Sequence, residues 1–203
     1  MTGEGQTRWP RRRRRHLQSQ VVKIYTRKGD DGSTGLFYGG RVAKDDSGPE
    51  AYGAVDEAVS ALGVARAIAP GPLAEAVLAV QRDLFVAAAE LATGADNRSK
   101  LADGESRVSE AMVTSLEVRI DQIEDRSGMP TEFVVPGGSV VAAALDVART
   151  AIRRSERRAV SHLRATGITD SHVVPYLNRL ADYLYMLARA EEENWAPTKE
   201  QSN

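Results

Sequence analysis

The chain has 203 residues, of which 42% are hydrophobic and 27% are charged, and its formal net charge at pH 7 is −1. This length and composition suit one domain with a hydrophobic core, and the near-zero net charge gives no reason to expect nucleic-acid binding. The chain has no cysteine, which excludes disulfides, thiolate metal sites, iron–sulfur ligation and a cysteine nucleophile. Because a cysteine-free chain is compatible with a reducing compartment, we expect a cytoplasmic location.

Residues 1–20 form a separate, strongly basic segment. The stretch RWPRRRRRHLQSQ, residues 8–20, contains six arginines and almost no apolar side chain. A run of like charges repels itself and cannot bury a core, so we predict a disordered basic arm over residues 1–20. Polyanion binding and organelle targeting are the alternatives for this arm. It has no apolar stretch typical of a secretory signal, and no window of the chain resembles a membrane span, so we expect no membrane partner.

A glycine-rich segment follows the basic arm. Residues 23–40 read KIYTRKGDDGSTGLFYGG and contain five glycines with cations and carboxylates among them. The spacing does not match the phosphate-binding loop G-x-x-x-x-G-K-[ST]. Backbone N–H groups of glycines can nevertheless surround an anion. Hydroxyls and cations are added by Thr26, Arg27, Lys28, Ser33, Thr34 and Lys44. A mobile linker is the alternative, but together with an arginine-rich helix the segment favours a triphosphate ligand.

From residue 50 onward the sequence pattern is helical. Apolar residues at three- and four-residue spacing, bounded by Gly, Pro, Ser and Asp, predict five helices at about 50–68, 73–92, 106–126, 139–164 and 172–193. Only residues 21–26 and 132–136 read as extended, and no alternation is long enough for a sheet. We therefore predict an all-α, five-helix antiparallel bundle at residues 21–193, with an extended glycine-rich N-terminal segment and a C-terminal tail at 194–203.

The last two helices have clear apolar stripes. In the fourth helix the predicted buried residues are Leu145, Ala148, Ile152, Ser155, Ala159 and Leu163. In the fifth they are Leu177, Leu180, Leu184 and Leu187. Both sets follow the three- and four-residue spacing of an amphipathic helix. Arg154 and Arg158 point away from the stripe of the fourth helix, and we expect them to be solvated.

The fourth helix also has a charged face. Arg149, Arg153 and Glu156 are spaced i, i+4 and i+7, so they share one side of the helix, and Arg157 flanks them. A solvated strip of Arg–Glu pairs is the simpler interpretation. The excess of arginine over carboxylate instead favours a polyanion, because guanidinium groups bind phosphate oxygens in a bidentate manner.

The fifth helix has a polar stripe of its own. Asn178, Asp182, Tyr185 and Arg189 are spaced by four, three and four residues and so share one face. A wet helix face is one interpretation. Asn178, however, is unfavourable inside a helix, and its presence is easier to explain if the amide contacts a ligand or a metal-bound water.

Two further groups of polar residues are less informative. Asp56 and Glu57 lie in an apolar run of the first helix, where we expect Glu57 to be exposed and Asp56 to need a cationic partner if it is partly buried. The three histidines, His16, His162 and His172, do not have the spacing of metal ligands. The chain also contains no Glu-x-x-His pair, which a di-iron carboxylate bundle requires. We therefore expect no metal site formed by protein ligands alone.

Four segments, taken in order, resemble the PduO-type ATP:corrinoid (cob(I)alamin) adenosyltransferase family. They are YTRKGDDGSTGL at 25–36, YGAVDEAVSALG at 52–63, FVVPGGSVVAAALDVARTAIRRSERR at 133–158 and YLNRLADYLYMLAR at 176–189. Together they extend over nearly all of residues 23–193. The resemblance implies a ferritin-like five-helix bundle that assembles as a homotrimer, with active sites between adjacent subunits.

The resemblance also implies a reaction. The Co(I) centre of cob(I)alamin attacks the 5′ carbon of ATP, a cobalt–carbon bond forms, and triphosphate leaves, with Mg²⁺ accompanying the nucleotide. The implied partners are a cobalamin reductase and an adenosylcobalamin-dependent enzyme. Because the reduced cobalt is itself the nucleophile, the protein supplies alignment and charge stabilisation, and no Ser–His or Cys–His pair is needed.

Individual residues receive roles from the same resemblance. The nucleotide-binding set is Thr26, Arg27, Lys28, Gly29, Asp30, Gly32, Ser33, Thr34, Lys44, Arg153, Arg154, Ser155, Glu156, Arg157 and Asn178. Arg149 matches an arginine that pairs across the subunit interface with the aspartate matching Asp56. Phe133 matches a phenylalanine beside the lower face of the corrin. These three residues and Arg153 are the expected catalytic residues. Val59 stands where the family often has Asn, which changes local polar contacts.

Three alternatives to this function remain at the level of the sequence. The first is a non-catalytic sensor or delivery chaperone that binds ATP and a corrinoid. The second is a structural helical module whose basic arm recruits polyanions. The third keeps the enzyme class but changes the acceptor to another corrinoid, such as a cobinamide.

Overall fold

The computed structural model describes residues 24–199, so the predicted basic arm at 1–20 lies outside the described residues. Two short antiparallel strands, β1 (Ser33–Gly35) and β2 (Arg41–Ala43), form a hairpin. A 3₁₀ helix, Ala95–Lys100, lies between the second and third of five α-helices. The helices are α1 (Ser47–Ile68), α2 (Gly71–Leu91), α3 (Glu110–Ser127), α4 (Val140–Thr166) and α5 (Val173–Ala190). The predicted all-α five-helix bundle is confirmed.

The helices pack in a definite order. α1 lies between α2 and α4, α5 packs against α4, and α3 packs against α5. Contacts between α1 and α4 join Ser47 to His162 and Ala54 to Ser155. The residue number therefore rises along α1 as it falls along α4, and the two helices are antiparallel. Within residues 24–199 no helix combines the length and the apolar character needed to span a bilayer.

The predicted apolar stripes of α4 and α5 form the core. All six α4 positions and all four α5 leucines are buried. On α1 the buried residues facing this core are mostly alanines, and small side chains allow two helix axes to approach closely. Ser155 occupies this close contact, where its hydroxyl donates to the carbonyl oxygens of Ala54 (2.7 Å) and Ala151 (3.0 Å).

Long-range contacts change some predicted element boundaries. The third helix begins at Glu110, with Ser109 as its N-cap, four residues later than predicted. The reason is the buried carboxylate of Glu90, which accepts the N–H of Val108 at 2.8 Å and keeps the preceding residues in a loop. The fifth helix ends at Ala190 rather than near residue 193.

The glycine-rich segment is not a single extended run. Residues 27–32 form two consecutive turns, in which Asp30 N–H donates to Arg27 O and Gly32 N–H donates to Gly29 O. The hairpin that follows was not predicted, because its three-residue strands are too short to show alternation. Of the two segments predicted to be extended, 132–136 contains Val134, which forms an antiparallel bridge with Pro197. The other begins in the residues that are not described.

Candidate functional site

The glycine-rich turns form a compact structure that we call the cradle, comprising residues 26–34 with Arg41 and Lys44. Within the cradle, the N–H of Lys44, the residue just after β2, donates to Gly32 O at 2.9 Å. The Lys44 side chain folds back over Gly29. A Cβ atom at Gly29 would lie 3.2 Å from Lys44 Nζ and 3.0 Å from Ser33 O. Glycine at this position therefore makes room for the ammonium group inside the turn.

Arg41 is a cradle residue that sequence reasoning missed. Its Nε donates to Ser33 Oγ at 3.0 Å, and its Nη2 also bonds the carbonyl oxygen of Lys28. Asp31 accepts both the N–H and the hydroxyl of Ser33, at 2.9 and 2.8 Å. The hydrogen bond from the Ser33 N–H, and after it the one from the Ser33 hydroxyl, hold the pKa of the Asp31 carboxyl below its usual value. Arg41 reaches residues 28 and 33 only because the hairpin pairs, so local sequence patterns contain no signal for it.

The predicted phosphate-binding residues of the cradle are accessible. Arg27 has a φ of +61°, a left-handed conformation that is uncommon for a residue with a side chain and is often found at functional sites. Its guanidinium lies 5.8 Å from the ring centroid of Tyr25. The exposed members of the predicted set are Thr26, Arg27, Lys28, Asp30, Gly32 and Lys44, and the half-buried ones are Gly29, Ser33 and Thr34.

The charged face of α4 and the polar stripe of α5 lie next to each other, and we call them the α4–α5 face. Asn178 Nδ2 donates to Glu156 Oε1 at 3.3 Å. One to two turns away, the guanidinium of Arg149 lies 5.9 Å from the ring centroid of Tyr185. The structure therefore brings together residues that the sequence placed on two separate helix stripes. Arg153 is exposed on α4 between these two contacts.

The arginines of α4 differ in whether a carboxylate already neutralises them. Three are paired: Arg149 with Asp146, Arg154 with Glu57, and Arg158 with Glu50. Arg153 and Arg157 have no carboxylate oxygen within 4.0 Å among residues 24–199. Both are exposed. An unneutralised pair of guanidinium groups on one helix face is suited to binding an anion.

Two residues of the predicted nucleotide-binding set, Ser155 and Arg154, already have partners on α1. Ser155 is fully buried between α4 and α1, and its hydroxyl is used by two carbonyl oxygens. Buried hydroxyls are normally hydrogen-bonded, and that of Ser155 has its partners inside the contact between α4 and α1. Arg154 and Arg158 are not simply solvated, since each pairs with a glutamate of α1.

Asp56 is exposed and has no cationic partner within 4.0 Å among the described residues. Arg149 is paired instead with Asp146, at 2.9 Å between Nε and Oδ1. The pair of Arg149 and Asp56 that the resemblance implies is therefore not formed inside one chain. Glu57 is exposed, as predicted.

Phe133 is 86% exposed, on the loop between α3 and α4. The backbone of this loop is attached to the residues after α5. Val135 N–H donates to Ala196 O at 2.8 Å, and Thr198 N–H donates to Phe133 O at 3.0 Å. The loop thus presents an uncovered aromatic ring on an anchored backbone.

A buried ionic group behind the α4–α5 face was also missed. Arg189 is 2% exposed and bonds Asp146 (2.6 Å) and Glu192 (2.8 Å), so the interpretation of this stripe as a wet helix face does not hold at Arg189. Burial by itself lowers the pKa of Arg189, but these two carboxylates raise it above its usual value. Glu192, three residues after Arg189, was the available sequence signal.

Among residues 24–199 no hydrogen bond or ion pair joins the cradle to the α4–α5 face. The described residues also contain no group of three or more His, Cys, Asp and Glu side chains that could hold a metal ion. His162 is buried, with Nδ1 3.0 Å from Ser47 Oγ. Burial, and after it the positive charge of Arg98, lower the pKa of His162.

Comparison with known sequences places these features in context. The family model described as cobalamin adenosyltransferase matches residues 24–191. A corrinoid adenosyltransferase of Citrobacter freundii is 43% identical over 173 residues, which are 85% of this chain and 96% of the relative. The corrinoid adenosyltransferase of Bacillus subtilis (strain 168) is 38% identical over 173 residues, which are 83% of this chain and 86% of the relative.

Solved structures give a similar result. Two variants of a PduO-type ATP:corrinoid adenosyltransferase from Lactobacillus reuteri, each complexed with cobalamin and ATP, resemble this chain. One has a TM-score of 0.75 at 33% identity, and the match covers 83% of this chain and 90% of the chain in that structure. The other has a TM-score of 0.78 at 30% identity and covers 88% of this chain and 100% of its own.

Proposed function

Because the chain belongs to the cobalamin adenosyltransferase family, we propose that it is an ATP:corrinoid adenosyltransferase. It transfers the 5′-deoxyadenosyl group of ATP to the Co(I) centre of cob(I)alamin, forms adenosylcobalamin and releases triphosphate. The observation that carries the proposal is the exposed pair Arg153 and Arg157, which has no neutralising carboxylate within the described part of the chain and lies one and two turns along α4 from the paired Arg149.

The chain's residues divide the work of this reaction. The cradle, with Lys44 over Gly29, and the guanidinium groups of Arg153 and Arg157 hold the triphosphate. These cations stabilise the charge that develops on the leaving group. Asn178, oriented by Glu156, contributes an amide to nucleotide binding. Alignment of two large substrates accounts for the remaining rate enhancement.

The active site is completed by a second subunit of a homotrimer. Three observations on residues 24–199 support this part of the proposal. No hydrogen bond or ion pair joins the cradle to the α4–α5 face, Asp56 is exposed with no cationic group within 4.0 Å, and Arg149 is half-buried on the α4–α5 face. In the trimer, Asp56 of one subunit pairs with Arg149 of the next. Arg149→Ala is expected to reduce both the trimer fraction in sedimentation velocity and the activity. An intact trimer with full activity would contradict the intersubunit pair.

The corrinoid is bound near Phe133. The exposed ring provides an apolar wall that excludes water and the lower axial ligand from cobalt. Loss of that ligand makes the preceding Co(II) state easier to reduce.

Because the nucleophile is Co(I), the reaction requires a reductase that supplies it. An adenosylcobalamin-dependent enzyme receives the product. A cytoplasmic location suits this chemistry, because that compartment is reducing.

Mg²⁺ belongs to the proposal only as a companion of ATP. Mg²⁺ commonly binds through substrate phosphates with few protein ligands, and the described residues contain no group of three or more His, Cys, Asp and Glu side chains that could hold it. No step of the reaction is assigned to it. Activity that persists in excess EDTA with metal-free ATP would remove Mg²⁺ from the proposal.

The function is tested by incubating the protein with ATP, Mg²⁺ and chemically reduced cobalamin. An absorption change for cobalt–carbon bond formation, with one triphosphate released per corrinoid, is the expected result. Binding of both compounds without turnover would favour the sensor or delivery chaperone instead. Deleting residues 1–20 provides the second control. If ATP affinity is lost with the basic arm, the cradle and the α4–α5 face are not the nucleotide site.

A further inference from the structure

Four charged side chains form a continuous ionic group at one end of α4 and α5, and we call it the Arg189 cluster. Asp146 accepts from Arg149 at 2.9 Å through Oδ1 and from Arg189 at 2.6 Å through Oδ2. Arg189 in turn donates to Glu192 at 2.8 and 3.1 Å. The side chains of Arg189 and Glu192 are each 1% exposed. One carboxylate, that of Asp146, thus links the predicted site arginine on α4 to Arg189 on α5 and, through Arg189, to Glu192 just after α5.

Stability alone is a weak reason to bury such a group. Removing paired charges from water costs as much as their attraction returns, and apolar replacements are often as stable. Buried ionic groups are better explained when they fix a specific arrangement of segments. The segments that the cluster holds together are therefore a better guide to its role than its contribution to stability.

The cluster is bonded to the loop that carries Phe133. Glu192 Oε1 accepts the N–H of Gly138 at 3.0 Å, just before the N-cap of α4. A Cβ atom at Gly138 would lie 2.9 Å from the Glu192 carboxylate, so only glycine permits this approach. On the other side, Trp195 Nε1 donates to Arg189 O at 3.0 Å and precedes the residues that pair with 133–135. The loop is therefore attached, from Phe133 to Gly138, to the residues that follow α5.

The exposed ring of Phe133 cannot position itself. With 86% of its surface uncovered, the ring makes few packing contacts, and its location depends on the backbone that carries it. That backbone is held by Glu192 and by the residues after Trp195. The same Glu192 belongs to the group that includes Arg149 on the α4–α5 face.

From this geometry we infer that Arg189 and Glu192 are positioning residues, which hold the Phe133 loop at a set distance from the arginines of α4. The inference rests on the proposed function, since it assigns the loop to the corrinoid and the arginines to ATP. The cluster thereby aligns the two substrates with each other while touching neither. Misplacement of reacting groups by about 1 Å can cost up to about a hundredfold in rate.

The test compares Glu192→Ala with Glu193→Ala, a matched control at the exposed neighbouring glutamate. Glu192→Ala is expected to raise the corrinoid KM or lower kcat by about tenfold or more, with the ATP KM unchanged. Glu192→Gln retains an acceptor for Gly138 and is expected to recover part of the loss. Gly138→Ala, which displaces the loop without removing a charge, is expected to reproduce the effect if Glu192→Ala proves too unstable.

Hydrogen exchange supplies a readout that does not depend on activity. The hydrogen-bonded amide protons of Val135 and Gly138 are expected to exchange at least about tenfold faster in Glu192→Ala, while those in the middle of α4 keep their rates. Unchanged exchange in this loop overturns the inference, as does an unaltered corrinoid KM and kcat in the folded variant. If the unmodified protein shows no transfer but the loop still loosens in Glu192→Ala, the proposed function fails and the attachment of the loop stands.

Discussion

Replacing Arg153 with Ala tests the central feature of the site, the unneutralised guanidinium on α4. Arg153 is exposed and has no carboxylate within 4.0 Å among the described residues, so its removal breaks no ion pair there. A hydrogen bond to a charged group contributes about 1.5–3 kcal/mol. Loss of this contact to a phosphate therefore raises the ATP dissociation constant by roughly 10- to 150-fold. Thermal unfolding is expected to be nearly unchanged.

Arg158→Ala is the matched control for this experiment. Arg158 lies on the same helix but pairs with Glu50 of α1, and both side chains are about half exposed. Such a surface pair contributes about 0–1 kcal/mol to folding, and ATP affinity is expected to stay the same. Arg153→Lys should lie between Arg153→Ala and the unmodified protein, because Lys keeps the charge but not the bidentate geometry. Calorimetric titration with ATP measures all three. Equal ATP affinity in Arg153→Ala and the unmodified protein would refute the assignment.

Three further predictions concern Phe133, Ser155 and His162. Phe133→Ala should sharply slow turnover from cob(II)alamin without lowering the melting temperature, because the ring is largely exposed; near-normal turnover would contradict its role. Ser155→Ala should lower the free energy of unfolding by about 1 kcal/mol through the lost hydrogen bond to Ala54, while a weakened ATP affinity at unchanged stability would restore Ser155 to the nucleotide site. Burial, and after it the positive charge of Arg98, lower the pKa of His162 in the folded protein below its ordinary value of 6.5. The contribution of the neutral side chain to stability is therefore complete above about pH 6.5 and is lost as the pH falls from there through the lower folded pKa. Urea unfolding midpoints at several pH values measure this loss of stability. The loss should be smaller in His162→Gln. A midpoint that does not fall with pH over this range would contradict the lowered pKa.

Much of the fold was predictable because helices are specified locally. Apolar spacing in α4 and α5 identified the buried residues correctly, and Gly, Pro and Ser signals located most helix ends to within a few residues. The start of α3 was missed because a carboxylate from α2, Glu90, binds the loop before it. The hairpin was missed because strand pairing joins residues that are apart in the sequence.

The candidate site, like the fold, was predictable from the sequence only in part. Residue type and helical spacing placed Arg149, Arg153 and Glu156 on one face, and they share that face in the structure. Spacing cannot tell whether an arginine already has a carboxylate partner, because the partner comes from another helix. Tertiary packing decided that Arg154 is paired with Glu57 and that Arg189 is buried, whereas Arg153 is left accessible.

The sequence by itself determined the helices, their apolar stripes and the family, since each depends on residue order alone. Only the tertiary structure decided which charges are neutralised, which hydroxyl is used inside the core and what anchors the loop of Phe133. The physical reason is that hydrogen bonds and ion pairs act over a few ångströms between segments that are distant along the chain.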